Sequence, residues 1–493
     1  MRKNKYENIL FSPLCIGTGL FLILVVIALY PYLLYDEIIW AYIGRIWEEN
    51  GLAPYKNAVE NKTPGIYFLN ALNSFLFHGN ALSIRLFGAV CIIGTSYLLY
   101  LLGKLLDSKL CGVLCMCIYG LMISWHVMDG LALSYTEVFM SLFTVASFYI
   151  IFKYKNISAN IYYLLLAGIF IGSSIVFKQI AILSLIALIV IVFLINKEQS
   201  FKSRFLDIGT LILGAFIINI ICYLVLYLNG VSVREYLEGA WSILFNQGSG
   251  QGFNELRFSR FFDVFFTTRF LCIYPFIFLF WIDRKLYNRE LLMLLLVWLF
   301  FDFLGANLSG NYYGHQLKQM LPVLSILLAL VFCRLKVRLN HIKKLKGLHS
   351  FKFMILVVIY FFPYYQIAKI GKSFLDYPNA PYVDMQGWIE NNSSKRDNIF
   401  LLGGDISLMH ALYESNRVSS SKFFNLMFVK SFKEQRVIMD DLLNRPPLFI
   451  LKLKENSEVV SIYGNTIYAY FVENYYLEKV TGNVEIYKKK VVQ

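Results

Sequence analysis

The stretch LCIGTGLFLILVVIALYPYLLYDE, residues 14–37, decides how the rest of the chain is interpreted. Residues 14–34 carry no charge, and about 20 consecutive apolar residues are what an α-helix needs to cross a bilayer. A run of this length, with no small-x-small cleavage site, predicts an uncleaved first membrane helix rather than a signal peptide. The adjacent carboxylates of Asp36 and Glu37 then mark where the chain leaves the hydrocarbon, because ionised groups are costly inside it.

The composition of the whole chain agrees with a polytopic membrane protein. Of its 493 residues, 58% are hydrophobic and 16% are charged, against about 25% charged in an ordinary soluble domain. The formal net charge of +14 does not indicate nucleic acid, because the lysines and arginines gather in short loops between apolar runs. We therefore expect the lipid bilayer, and no nucleic acid, as the partner of this surface.

Further apolar runs of spanning length follow the first one. Together they predict eleven membrane helices, near residues 14–34, 82–103, 110–126, 137–152, 161–177, 180–195, 206–228, 264–282, 291–306, 317–333 and 351–368. Lysine and arginine concentrate in every second loop. Because positive residues favour the cytoplasmic side, this pattern predicts a plasma (inner) membrane protein with a cytoplasmic N-terminus and an extracytoplasmic C-terminus.

Two parts of the chain are predicted to lie outside the bilayer on its outer face. Residues 35–81 contain two amphipathic helix patterns, which predict short helices at the outer interface. After residue 370 helix and strand patterns alternate, and the last of them is a hairpin across Thr481–Gly482–Asn483. The sequence thus predicts an α-helical transmembrane domain at 1–370 and a small extracytoplasmic α/β domain at 371–493.

The cysteines offer little chemistry on sequence grounds. All eight fall inside or beside apolar runs, and the segment CGVLCMC at 111–117 holds three of them. It has no histidine or carboxylate at metal-ligand spacing, so the pattern predicts packing in a membrane helix. No disulfide framework is indicated.

The polar residues next to the membrane are better candidates for chemistry. Asp36 and Glu37 are explained either as a solvated helix start, since carboxylates favour the first turn, or as a catalytic pair. Lys62, in the motif NKTP, and Glu137, at the start of the fourth span, are expected on the same face. Carboxylates and a cation together suit a reaction in which a hydroxyl is deprotonated while an anionic leaving group is stabilised.

The order of these motifs resembles a known family. The Asp-Glu pair is followed by NKTP at 61–64, the glutamate of the fourth span, FKQ at 177–179 and NYYGHQLKQMLP at 311–322. In this order they resemble the polyprenyl-phosphate-dependent glycosyltransferases of the C-type superfamily, in the branch of protein O-mannosyltransferases and aminoarabinose transferases. The segment GWIENNSSKRDNIFLLGGD at 387–405 is similar to the extracytoplasmic domain of bacterial members.

The resemblance implies an activity and a set of roles. A single sugar, a hexose or a pentose, would move from a polyprenyl-phosphate donor to a hydroxyl of a lipid, glycan or protein acceptor at the outer face. By the same resemblance Asp36 is the general base and Glu137 is a second acidic position. Glu37 points about 100° further round the helix than Asp36, so we expect it to have a supporting or structural role. Lys62 corresponds to a lysine that contacts the donor phosphate, and Trp40 to an aromatic residue near the donor.

Further phosphate contacts are implied for Arg257 or Arg260 and for Tyr313 with His315. Arginine and lysine are the side chains best suited to bind phosphate. The superfamily contains metal-dependent and metal-independent members. Because the sequence shows no dense cluster of carboxylates or histidines, it names no cofactor and leaves a requirement for a divalent cation open.

Other interpretations of individual residues stay open. Lys62 suits an interfacial lysine that extends its ammonium group to water, Lys178 a solvated hairpin turn, and His315 an ordinary helix start. Arg269 and Asp302 fall inside predicted spans, where charged side chains usually face a cavity or a partner.

Two other activities also stay open. The first is a transporter or flippase of lipid-linked sugars, which would favour inverted repeats and broken helices in two matching halves; no such repeat is found in the sequence. The second is a glycan polymerase with the same donor chemistry.

Overall fold

The structure is a computed structural model, and it describes residues 12–125, 128–154, 161–196, 199–242, 255–268, 288–308, 312–341, 368, 370–372, 375, 381–425, 428–429, 431–454 and 459–490. The described chain is mostly helical, with one small β-sheet near its C-terminus. It divides into two units. The first comprises Met1–Tyr30, Arg85–Tyr223 and Phe245–Gly371, and the second Pro31–Ile84, Leu224–Leu244 and Lys372–Gln493.

The helices are named here in chain order. Those before residue 371 are α1 (Pro13–Ala28), α2 (Tyr35–Asn50), α3 (Gly65–Phe77), α4 (Ala81–Leu106), α5 (Lys109–Ile123), α6 (Thr136–Lys153), α7 (Ile161–Phe177), α8 (Ala181–Ile195), α9 (Phe201–Leu228), α10 (Val233–Leu237), α11 (Glu255–Phe262), α12 (Arg289–Asn307) and α13 (Leu321–His341). Short π-helical turns follow α10 at Glu238–Ser242 and α11 at Asp263–Thr268, and a 3₁₀ helix at Gly314–Met320 leads into α13.

Several of these helices fit a membrane by length and composition. Five are long and apolar enough to cross one: α4, α6, α9, α12 and the run Gly314–Arg334. Nine of the eleven predicted intervals contain an α-helix of the described chain. The interval 264–282 is described only to residue 268, and 351–368 only at residue 368. The total of eleven spans therefore stays a prediction.

The first helix is shorter than the sequence predicts. Ser12 caps it, accepting a hydrogen bond from the Cys15 amide at 3.2 Å, and Pro13 occupies the first helical position, where its missing N–H costs nothing. The helix ends at Ala28 rather than residue 34. Pro31 explains the difference, because its ring excludes the helical conformation of the preceding residue and removes a donor.

Helices α2 and α3 occupy the region predicted for the two outer helices. Every residue of α2 from Glu37 to Trp47 is buried, so it is covered on all sides rather than on one amphipathic face. Gly44 permits this close packing: a Cβ atom there would lie 2.5 Å from the Cβ of Asn70 on α3. Gly51, with φ 68°, ends α2 in the left-handed conformation that favours glycine.

The C-terminal segment forms a mixed sheet. Its strands are β1 (Asn398–Leu402), β2 (Val418–Ser419), β3 (Phe449–Leu453), β4 (Tyr475–Thr481) and β5 (Val484–Lys489), in the order β2-β1-β3-β5-β4. β1 is parallel to β2 and β3, and β5 is antiparallel to β3 and β4. The helices α14 (Pro381–Asn392), α15 (Ile406–Glu414), α16 (Phe432–Asn444) and α17 (Val459–Asn474) connect or precede the strands.

The sheet core is shared with the segment that carries Lys62. Val59 belongs to the hydrophobic cluster built around Phe400 and Ile450, and its amide donates to the Lys422 carbonyl at 2.9 Å. The hydroxyl of Tyr42, on α2, accepts from the Ser419 amide at 2.8 Å. The loop before α3 is thus held by the C-terminal fold, which fixes its polar side chains.

Inside the first unit, Asp302 has a structural explanation. It is 1% exposed, and its carboxylate accepts from Ser184 Oγ on α8 at 2.6 Å and from Trp298 Nε1 at 2.8 Å. Trp298 in turn stacks on Phe148, with ring centroids 3.7 Å apart. Asp302 therefore links α8 to α12 by hydrogen bonds. Its contacts are those expected of a buried polar group, since such groups are normally hydrogen-bonded. Arg269 lies outside the described residues.

Candidate active site

Asp36 lies in the first turn of α2, in the second unit. Its side chain is half-buried, and in the described part of the chain no donor is hydrogen-bonded to its carboxylate. The unpaired amides of a helix N-terminus stabilise a negative charge at this position. A carboxylate whose lone pairs are not engaged by donors of the described chain is suited to accept a proton from a ligand.

Glu37 is held very differently, although it is the next residue. It is 2% exposed, and its Oε2 accepts a hydrogen bond from the Leu34 amide at 2.9 Å. This is the carboxylate half of a capping box, which satisfies an amide just before the helix. The contacts favour a structural role for Glu37 and leave proton transfer to Asp36.

The pKa of Tyr35 reflects its burial and the acidic side chains around it. Burial, followed by the charge of Asp36, raises the pKa of Tyr35 to about 12, and Asp405 and Glu60 add to the effect. The phenol therefore stays protonated at neutral pH and donates to Asn425 Oδ1 at 3.1 Å. We call Tyr35, Asp36, Glu60 and Lys62 the Asp36 group.

Lys62 lies in this group as a partly enclosed cation. Its side chain is 18% exposed, and its Nζ lies 3.7 Å from Glu60 Oε1 and 2.8 Å from Asn61 Oδ1. The ammonium also lies 5.7 Å from the ring centroid of Trp40, which is 1% exposed. A lysine that only snorkels would extend into water, whereas this one is held against an aromatic ring and a carboxylate.

Glu60 is a residue of the group that sequence reasoning missed. It is 5% exposed and accepts from the Tyr67 hydroxyl at 2.6 Å and the Lys62 amide at 3.0 Å. Tyr55 donates to the Lys62 carbonyl at 2.6 Å. The signal in the sequence was an acid, an amide and a lysine in a row, at 60–62, in otherwise apolar and aromatic surroundings.

A second polar group lies in the first unit around Glu137, which begins α6 as predicted. Glu137 is 1% exposed. Its Oε1 forms an ion pair with Lys178, and its Oε2 accepts from Thr136 Oγ1 at 2.9 Å. Lys178, predicted as a hairpin tip, indeed lies between α7 and α8, but its side chain is only 12% exposed because it is turned onto Glu137.

His315 is anchored by a carboxylate that the sequence did not single out. Asp129 Oδ2 accepts from the His315 amide at 2.8 Å and lies 3.0 Å from its Nδ1. Asp129 has a strained backbone, with φ 52°. Lys318, fully buried, donates to the carbonyls of Asp129 and Ala132, both at 2.9 Å. Burial opposes ionisation of Asp129, but His315 and Lys318 outweigh it, so its pKa lies below the ordinary value.

The other predicted phosphate contacts differ in their exposure. Tyr313 is 53% exposed and stacks on His315 at a centroid distance of 5.6 Å. Arg260 is exposed on α11, and the side chain of Arg257 lies outside the described residues. Asp36, Glu37, Trp40 and Lys62 belong to the second unit, whereas Glu137, Arg257, Arg260, Tyr313 and His315 belong to the first.

In the described ranges, the side chains of metal-ligand type that cluster are Asp107, Cys111 and Cys333. The Asp36 group provides a base, Asp36, and a cation, Lys62, which lies over the ring of Trp40. These side chains suit acid–base and phosphate chemistry.

Comparison with known proteins identifies a matching family model and several similar folds. Residues 61–226 match the model of a family described as dolichyl-phosphate-mannose-protein mannosyltransferase. The structure is similar to that of ArnT from Cupriavidus metallidurans bound to undecaprenyl phosphate, with a TM-score of 0.65 and 13% identity over 96% of this chain and 97% of that one. The apo form of ArnT gives 0.66 and 14%, over 98% of each chain.

A more distant similarity extends to the archaeal oligosaccharyltransferase AglB from Archaeoglobus fulgidus in complex with an inhibitory peptide and a dolichol-phosphate. Its TM-score is 0.50 at 11% identity, over 96% of this chain and 74% of that one. No curated protein sequence matches this chain. The resemblance predicted from the order of the motifs is thereby confirmed at the level of the fold: the chain has the fold of ArnT, and residues 61–226 match the mannosyltransferase family model.

Proposed function

We propose that this protein is a membrane glycosyltransferase that moves a single sugar from a polyprenyl-phosphate-linked donor to an acceptor hydroxyl at the outer face of the membrane. The observation that carries the proposal is the Asp36 group. Asp36 is a half-buried carboxylate without a hydrogen-bond partner in the described chain. It is related to the enclosed Lys62 through Tyr35 and Glu60: the charges of Asp36 and Glu60 both act on Tyr35, and Lys62 lies 3.7 Å from Glu60. Asp36 has the properties of a base, and Lys62 those of a phosphate ligand.

The reaction needs few catalytic parts. Asp36 accepts the proton of the acceptor hydroxyl while the acceptor oxygen forms a bond to the anomeric carbon of the sugar. The bond from that carbon to the phosphate oxygen breaks, and its electron pair leaves with the polyprenyl phosphate. Because phosphate is a good leaving group, charge stabilisation replaces a general acid. A single direct displacement inverts the configuration at the anomeric carbon.

Lys62 is proposed to stabilise the negative charge of the leaving phosphate. Its Nζ is positioned by Asn61 at 2.8 Å and lies over Trp40. Glu60 holds the Lys62 amide at 3.0 Å and so fixes the start of the side chain. We propose that Glu60 and Trp40 position the ammonium group, and that Lys62 alone contacts the phosphate.

The donor class is supported by what the similar structures contain. ArnT from Cupriavidus metallidurans was solved with undecaprenyl phosphate, and AglB from Archaeoglobus fulgidus with a dolichol-phosphate. Both ligands are polyprenyl phosphates. The predicted phosphate contacts of Arg257, Arg260, Tyr313 and His315 stay predictions, and for Glu137, whose two oxygens are engaged by Lys178 and Thr136, we propose a positioning role.

The experiment that tests this function uses the full chain in liposomes. Polyprenyl phosphates carrying radiolabelled hexoses or pentoses are supplied with a membrane extract as the source of acceptors. We expect radiolabel to leave the polyprenyl phosphate and appear in an acid-stable acceptor product. If the label only changes leaflet and remains on its lipid, the protein is a flippase. If multiple sugars are joined to each other, it is a polymerase; either result overturns the proposal.

A further inference from the structure

Three elements of the first unit bring metal-binding side chains together at a point remote in sequence from the Asp36 group. Asp107 follows α4, Cys111 is the third residue of α5, and Cys333 lies on α13. One ligand atom from each, a carboxylate oxygen and two Sγ atoms, lies within 4.8 Å of the others. Sequence spacing did not reveal this group, because Cys333 is more than 200 residues away from the other two.

The distances between the three ligand atoms are close to those between the ligand atoms of a zinc centre. Zinc–sulfur bonds of about 2.3 Å and zinc–oxygen bonds of about 2.1 Å place tetrahedral ligand atoms about 3.5–3.8 Å apart. The three atoms therefore reach a common ion by small side-chain rotations. Because they come from three different elements, such an ion would tie α5 and α13 to the end of α4.

Hydrogen bonds already orient part of the group. Cys111 lies in the first turn of α5, and its amide donates to Ser108 Oγ at 3.2 Å. Asp107 Oδ2 accepts from Ser108 at 2.8 Å, and its Oδ1 is 2.8 Å from Arg334 Nη2. Hydrogen bonds of this kind orient the carboxylate ligands of metal sites.

The three side chains are largely enclosed. Cys111 is fully buried, Cys333 is 6% exposed and the Asp107 side chain is 14% exposed. An ion bound between them would therefore be shielded from solvent.

Packing alone does not explain these cysteines. Cys117, in the same CGVLCMC segment, packs against the apolar cluster of Tyr100, Val113 and Met116, as a structural cysteine should. The Cys111 thiol instead contacts the thiols of Cys115 and Cys333, and a carboxylate lies beside it. Cys111 and Cys117 thus have different surroundings within the same helix, and Cys117 can serve as a control for Cys111.

We propose that Asp107, Cys111 and Cys333 form a structural site for one thiophilic divalent cation of the zinc class. In the orientation predicted from lysine and arginine, the site lies at the cytoplasmic end of its helices, where thiols stay reduced. It serves to hold α5 against α13. This site is independent of the proposed transfer reaction, so the two proposals can fail separately.

Cobalt(II) is the probe that tests the site, because cobalt–thiolate bonds absorb in the near ultraviolet. Full-length protein, purified in detergent with reductant and freed of metal by a chelator, is titrated with Co²⁺ and then with Zn²⁺. We expect one Co²⁺ per chain, a thiolate charge-transfer band, and displacement by Zn²⁺. Cys111→Ser and Cys333→Ser should each weaken binding at least about tenfold, whereas Cys117→Ser should bind like the wild type.

A second measurement keeps the test decisive if a serine variant does not fold. The wild-type chain is alkylated with and without Zn²⁺, and the modified cysteines are mapped by mass spectrometry. Protection confined to Cys111 and Cys333, with or without Cys115, supports the site. The proposal is overturned if no charge-transfer band forms in the wild type, if Cys117→Ser loses the band as fully as Cys111→Ser, or if Zn²⁺ protects neither Cys111 nor Cys333.

Discussion

Asp36 and Glu37 show how two adjacent carboxylates take different tasks. On a helix, consecutive side chains point about 100° apart. Glu37 is turned inward onto the Leu34 amide, whereas the Asp36 carboxylate has no hydrogen-bond donor in the described chain. The contacts of Glu37 therefore agree with a helix-capping role, and catalysis by Asp36 stays a prediction.

The role proposed for Lys62 predicts a loss of donor affinity. Lys62→Ala removes the ammonium group, and a hydrogen bond to a charged group contributes about 1.5–3 kcal/mol, so the Kd for the polyprenyl-phosphate donor should rise roughly 10- to 100-fold. Lys62→Arg keeps the charge with altered geometry and should lose less. Isothermal titration in detergent measures both.

Lys56→Ala is the matched control for Lys62, since Lys56 is an exposed lysine of the same loop. Its donor affinity should equal that of the wild type. If Lys62→Ala binds the donor as tightly as the wild type, Lys62 does not contact the phosphate and is only a snorkelling lysine.

The contact between Asp129 and His315 predicts a pH dependence of stability. The pKa of Asp129 is lowered in the folded chain, below an ordinary value of about 3.9. The stabilisation is therefore complete above about pH 4 and is lost as the pH falls through the lowered pKa. The melting temperature of the wild type should therefore drop more steeply below about pH 4 than that of Asp129→Asn. Parallel curves for the two proteins would contradict this assignment.

The sequence reveals some residues of the candidate site better than others. Asp36, Lys62 and Glu137 could be singled out because each is a charged residue at the edge of an apolar run. Glu60, Asp129 and Lys318 could not, because what distinguishes them is a partner that only the fold brings close. Asp129 is recognisable by its positive φ and its contact with His315, 186 residues away.

At the scale of elements, the close approach of α2 and α3 is the feature most open to test. A Cβ atom on Gly44 would lie 2.5 Å from Asn70 Cβ and 2.6 Å from the Ala71 amide nitrogen. Gly44→Ala should therefore separate the two helices and cost about 1–3 kcal/mol of stability. We expect a lower melting temperature in detergent and weakened donor binding, because Trp40 and Lys62 flank this contact.

Gly19→Ala is the control for Gly44, since no atom lies within 4 Å of a Cβ built on Gly19 in α1. This variant should leave the melting temperature unchanged or raise it, because alanine favours helix over glycine by up to about 1 kcal/mol. Equal melting temperatures for Gly44→Ala and the wild type would show that α2 and α3 are not packed as described.

Most elements are predictable because their signals are local. The terminal hairpin is an example: Gly482, with φ 58°, begins its two-residue turn, and glycine adopts this conformation readily. The end of α1 at Ala28 was missed because the apolar run continues to residue 34, and the prediction followed this run instead of the helix-breaking effect of Pro31. The complete burial of α2 was also missed, because its amphipathic pattern does not reveal that the C-terminal sheet packs with residues 31–84.

At the scale of the whole molecule, orientation in the membrane is the next prediction. The distribution of lysine and arginine predicts that the N-terminus lies inside and residues 371–493 outside. A reporter that is active only in the cytoplasm, fused after residue 493, should give no signal, and the same reporter before residue 1 should give a strong one. The reverse pattern would place the Asp36 group on the wrong side for an extracytoplasmic acceptor.

The similarity to ArnT and AglB establishes the fold and no more than the fold. At 11–14% identity, side chains that choose the sugar and the acceptor differ freely on one backbone, since function depends on sites rather than on folds. The donor class and the role of Asp36 therefore stay proposals that require direct measurement.

The most direct measurement is the turnover of Asp36→Asn with a polyprenyl-phosphate sugar donor, beside Glu37→Gln and Glu49→Gln. Glu49 is an exposed carboxylate of the same helix and serves as the control. Asp36→Asn should lose about 10²- to 10⁴-fold in turnover, the usual contribution of a general base, while donor affinity persists. Glu37→Gln should lose less, and Glu49→Gln nothing. Near-normal turnover of Asp36→Asn would contradict the account.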